Sequence, residues 1–182
     1  MPKLKDYINN NEDFKFSFTS SNSISSVYNG SIDCLISGDN ISIKPGFRKI
    51  TLLKCKVGLV CSCGYYKSVV EYLEPITVVN SKSKEYAWFE WCEKMNLNFE
   101  NVNHIVLDTL SLALDTVKMG VGVTIAPSFI VNSSIEKNEL VAPFGFHDSD
   151  CEIYLYVPDH LPLLKDRKLQ NVVNHIKIPD NS

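Results

Sequence analysis

The stretch Lys118–Pro127, "KMGVGVTIAP", decides how the chain folds. Two glycines separated by one residue, beside an apolar run, invite a reading as a nucleotide phosphate loop. Such a loop needs strand, glycines and helix in that order, because the helix N-terminal amides must face the phosphates. Upstream of Gly120, however, Leu110, Ala113, Leu114 and Val117 recur at i, i+3, i+4 and i+7, the period of a helix with one buried face. Asp108 or Thr109 caps its start, and Lys118 suits the negative end of its dipole. Gly120 is then expected in the left-handed conformation that closes a helix, and "VTIAP" after Gly122 as a short buried strand. The order is helix, glycines, strand, and no third glycine completes G-x-G-x-x-G after Gly122. The phosphate-loop reading fails.

Outward from this stretch, strands and helices alternate. Leu4, Tyr7 and Ile8 mark a short helix, and "FKFSFTS" alternates Phe14, Phe16 and Phe18 with polar residues as a half-buried strand. Ile24, Val27 and Tyr28 suggest one or two helical turns ending at Gly30. "IDCLI" (32–36) predicts a fully apolar strand, "DNISIKPGF" a loop, and Lys49 to Cys61 a long β-rich run. Further strands are predicted at "PITVV", "HIVLD" and "EIYLYVP". The helix "SKSKEYAWFEWCEKM" puts Trp88, Trp91, Cys92 and Met95 on one face, and Leu169, Val172, Val173 and Ile176 mark a last helix. "NSSIEKNELVAPFGFHDSD" (132–150) is read as a loop. The class is α/β with largely parallel pairing.

At 182 residues, 45% of them hydrophobic, the chain is long enough to bury a core of one domain or two small lobes. A net charge of −3 without a cluster of five or more basic residues argues against a nucleic-acid-binding surface. No apolar run is long enough to span a membrane, and the N-terminus lacks the apolar core of a signal peptide, so a cytoplasmic protein is expected. In that compartment the cysteines at 34, 55, 61, 63, 92 and 151 read as small buried hydrophobes. Cys61-Ser-Cys63 does not have the spacing of a zinc or thioredoxin-like pair.

Candidate chemistry is sparse. His104 begins an apolar strand, and His160 and His175 read as surface residues. His147, Asp148, Asp150 and Cys151 crowd one loop with no second element to complete a metal site. No G-x-S-x-G elbow occurs, and no spacing forces two carboxylates together. The Trp88/Trp91 pair has the spacing of a core face. No catalytic residue, cofactor site or metal site is expected. Polar residues at strand ends remain, "TSSNS" (19–23) and "DTLS" (108–111). In α/β sheets ligands bind outside the carboxyl ends of strands, often at helix N-termini, although the same residues serve equally as ordinary helix caps.

Taken together, these segments resemble the effector-binding domain of LysR-type transcriptional regulators. "MPKLKDYINNNEDFKFSFTSS" is similar to the family's first helix and second strand, "VYNGSIDCLISGD" to its recurring glycine-spacer-I/V-D segment, and "WFEWCEKMNL" to its W-x-x-W-type helix. "LDTLSLALDTVKMGVGVTIAPSFIV" with "NELVAPF" is the strongest match. The resemblance runs from Met1 to about Ile176. It implies two Rossmann-like lobes of the periplasmic-binding-protein type 2 fold, lobe one from residues 1–61 plus 151–182 and lobe two from 62–150. It also implies a small-molecule effector held by Ser20, Asn22 and Ser23 on one side and Asp108 and Thr109 on the other. Asp108 opposes an anionic ligand at a helix start, so the effector's charge stays open.

The family's winged helix-turn-helix, linker helix and first strand of lobe one have no counterpart in this sequence, so an N-terminally truncated regulator domain is expected. DNA contact would come only through a DNA-binding domain, and a homodimer or a pairing with a related regulator is implied. Two alternatives stand beside this reading: a free-standing small-molecule binding protein of periplasmic-binding type, and an enzyme using Cys61 or Cys63 as nucleophile. An acidic chain without a basic patch should give no sequence-selective mobility shift by itself at physiological salt. Selective binding at sub-micromolar concentration would contradict the charge argument.

Overall fold

The computed structural model of the chain describes residues 23–72 and 75–176, together with Ser17 and Thr19. The Phe14–Phe16–Phe18 strand and the Leu4–Ile8 helix lie outside these residues. In chain order the elements are α1 (Ser25–Tyr28), β1 (Leu35–Ser37), β2 (Phe47–Cys61), α2 (Cys63–Tyr72), β3 (Thr77–Ser81), a 3-10 turn (Lys82–Lys84), α3 (Ala87–Met95) and β4 (Asn103–Leu107). They continue with α4 (Leu110–Lys118), β5 (Val123–Pro127), α5 (Ser128–Glu136), β6 (His147–Pro158) and α6 (Leu163–Ile176).

The opening stretch folds in the order its periodicity dictates. Helix α4 buries Ala113, Leu114 and Val117, and Thr109 caps it, its Oγ1 accepting a hydrogen bond from the Leu112 N–H at 3.3 Å. The two glycines after it serve different needs. Gly120 has φ +84°, a left-handed conformation that a side chain strains. Gly122 needs room instead, because a Cβ there would lie 2.3 Å from the Thr77 carbonyl oxygen. Strand β5 follows with four of its five residues buried.

The strands share one mixed sheet in the order β1-β6-β2-β5-β3-β4. The expectation of largely parallel pairing is corrected. β3 pairs parallel with both β4 and β5, whereas β2 pairs antiparallel with β5 and β1 antiparallel with β6. Parallel neighbours need a crossover, and here α3 and α4 supply it. Alternating elements reveal that crossover but not the direction of strands that join the sheet from elsewhere.

Two other readings change. The predicted loop 132–150 begins in α5 and ends in β6; α5 buries only Val131, so its serine-rich sequence shows no amphipathic period. The "IDCLI" strand is shorter and less buried than predicted, with Ile36 39% exposed, because it pairs at the end of the sheet order. Helix α2 begins Cys-Gly-Tyr-Tyr, a start without the apolar period that marks a helix in sequence.

The described residues form two compact units. One takes the described part of Met1–Cys55 with that of Ser149–Ser182, and the other is Lys56–Asp148. In the first, Val27, Leu35, Tyr154 and Tyr156 pack together, and Leu52, Leu155 and Val173 form a second cluster. The Tyr156 hydroxyl donates to the Asp39 carbonyl at 2.7 Å and accepts from the Ile41 N–H at 2.8 Å, fixing the loop before β2. In the second unit, one core joins Val60, Val78, Val79, Trp88, Trp91, Ala113, Val117 and Ala126. Fully burying a valine-sized side chain contributes about 1.5–3 kcal/mol, so this cluster dominates the unit's stability.

Cys61, at the end of β2, belongs to that core and is 1% exposed. Burial first, and then the neighbouring Cys63, push its thiol from the ordinary 9.0 up to about 12. Between those values the unfolded chain releases a proton that the folded chain keeps. Stability present below pH 9 is therefore lost as pH rises toward about 12. A Cys61→Ala variant should show a shallower alkaline loss in denaturant melts than the parent. An identical pH slope in both proteins would contradict the burial of this thiol.

The glycine pair gives a second test. Gly120→Ala should cost about 1 kcal/mol through backbone strain. Gly122→Ala should cost about 3 kcal/mol, because the backbone of β3 must move. Urea unfolding of both variants checks this, and equal costs, or the reverse order, would contradict the close approach at Thr77.

Candidate functional site

The parallel register of β3 and β4 runs from Thr77 opposite Asn103 to Ser81 opposite Leu107, so the two strands end side by side. The residue after each strand is then Lys82 on one and Asp108 on the other. Their side chains form an ion pair, Lys82 Nζ to Asp108 Oδ1 at 2.5 Å, with 68% and 70% of each side chain exposed. A pair this open to water contributes about 0–1 kcal/mol to stability.

Around the pair stand three hydroxyls and a helix start. Ser81 is buried, and its Oγ shares a hydrogen bond with Ser83 Oγ at 3.2 Å. Thr109 caps α4, whose first amides carry the positive end of the helix dipole. Asn80, one residue back along β3, is 3% exposed. The arrangement can accept an anionic group at Lys82 and the helix start, a cationic group at Asp108, and neutral polar groups at the hydroxyls.

The sequence nominated Asp108 and Thr109 of this rim. It passed over Ser81, Lys82 and Ser83, because "SKSK" reads as the start of a helix and only the register of β3 against β4 brings it beside Asp108. Of the other nominated residues, Ser20 and Asn22 lie outside the described residues. Ser23 belongs to the other unit, where its Oγ accepts from the Ser25 N–H at 3.2 Å at the start of the four-residue α1.

The remaining candidates have structural surroundings. Trp88 and Trp91 are both core residues at 3% exposure, with ring centroids 6.0 Å apart. His104 stacks on Phe89 at 5.5 Å, and His147 Nε2 meets the Phe144 carbonyl at 2.8 Å. Among the described residues no three His, Cys, Asp or Glu side chains are grouped to hold a metal ion. The thiol-enzyme alternative conflicts with the protonated Cys61, since the thiolate is the nucleophile. The Cys63 Sγ donates to the Asn138 carbonyl at 3.6 Å. Among the described residues, no helix is long and apolar enough to cross a membrane.

The chain is similar to a known transcriptional regulator in sequence and to the effector domains of such regulators in fold. It is 30% identical over 89 residues to the HTH-type transcriptional regulator TrpI of Pseudomonas aeruginosa, an alignment covering 48% of this chain and 30% of that protein. The chain thus matches less than a third of that regulator's length. Its fold is similar to the effector domain of the transcriptional regulator AmpR of Pseudomonas aeruginosa, with a TM-score of 0.70 and 17% identity over 96% of this chain and 87% of that one. The AmpR effector-binding domain of Citrobacter freundii gives 0.73 and 16% identity, covering 96% and 90%. Full-length LysG of Corynebacterium glutamicum, with its effector Arg bound, gives 0.61 and 9% identity, covering 84% and 54%. Identities this low establish the fold alone. The family model for the LysR substrate binding domain matches residues 1–177. This chain belongs to that family, the non-enzymatic effector-binding domains of LysR-type transcriptional regulators.

Proposed function

We propose that the chain senses a small polar effector for a LysR-type regulator, and that Ser81, Lys82, Ser83, Asp108 and Thr109 contact it. The observation that carries the reading is the Lys82–Asp108 pair at the adjoining ends of two parallel strands. Opposite charges held 2.5 Å apart at a strand-end rim suit a ligand that bears both charges, such as a free amino acid. The LysG structure, in which the bound effector is Arg, supports the same ligand class. Its weak contribution to stability leaves the pair free to exchange its internal contact for contacts to a ligand.

In this reading the two compact units correspond to the two lobes of the periplasmic-binding-protein type 2 fold, the protein acts in the cytoplasm, and the regulator works as a homodimer or with a related regulator. DNA is reached through a DNA-binding domain. Effector binding shifts the balance between global states of that assembly. Ser20, Asn22 and Ser23 remain candidates for further effector contacts, and the rim of the second unit carries the proposal without them.

Thermal melts against a panel of free amino acids, dicarboxylates and amines test the reading. A ligand at about a hundred times its Kd stabilises the folded chain by about 2.7 kcal/mol. For the compound that binds, Lys82→Ala and Asp108→Asn should each weaken affinity at least tenfold by calorimetry while leaving the ligand-free melting temperature nearly unchanged. A panel without any stabilising compound, or affinity untouched by both substitutions, would overturn the assignment.

A further inference from the structure

We draw no further inference here: the strongest candidate, the edge of strand β4 left unpaired among the described residues, with Val106 exposed on it and Phe89 of α3 exposed beside its His104, is an unpartnered apolar edge, and nothing in the structure shows what covers it.

Discussion

The second unit depends on one close approach, that of Gly122 to the carbonyl of Thr77. It brings the start of β5 against the start of β3, where Val123 and Val78 are partners. Because β5 takes that side of β3, β4 must take the other, and α4 bridges from the end of β4 to the start of β5. Nine helical residues span roughly 13 Å. The glycine turn at the N-terminal end of these parallel strands therefore sets where Thr109 and the first amides of α4 stand at their C-terminal end. A backbone packing constraint at one end of the strands thereby positions the polar rim at the other.

Under the proposed function, stability and recognition are separated within this unit. Buried valines, alanines and two tryptophans provide the stability, and each strand-end charge sits in water with little to contribute. Asp108 alone at a helix start would repel an anion from the amides behind it. With Lys82 beside it the rim is locally neutral and holds a donor and an acceptor of full charge within one hydrogen-bond length. In the function proposed above, such a rim discriminates by the arrangement of charges on a ligand rather than by net charge.

Much of this fold was legible in the sequence where one residue type answers to one physical need. The spacing of Leu110, Ala113, Leu114 and Val117 revealed α4, and a glycine after Lys118 revealed its left-handed end. "VTIAP" is β5 to the residue. What stayed hidden depends on pairing between distant segments. The antiparallel joining of β2 to β5 leaves no trace in local periodicity, and the serine-rich α5 lacks the apolar face that reveals a helix. For the rim, Thr109 could be read as a cap from local chemistry, whereas Lys82 required the register of β3 against β4. The role of Gly122 was invisible for the same reason, since only the neighbouring strand explains why a side chain is excluded.

The central claim is that a small effector is held at the ends of β3 and β4. Amide chemical shifts of the isotopically labelled chain, titrated with the amino acid that raises its melting temperature most, test this directly. Binding at the rim predicts saturable shifts concentrated at the amides of 81–83 and 108–112, with the core amides of 123–127 little changed. Saturable shifts that leave both rim segments unmoved and cluster elsewhere would contradict it.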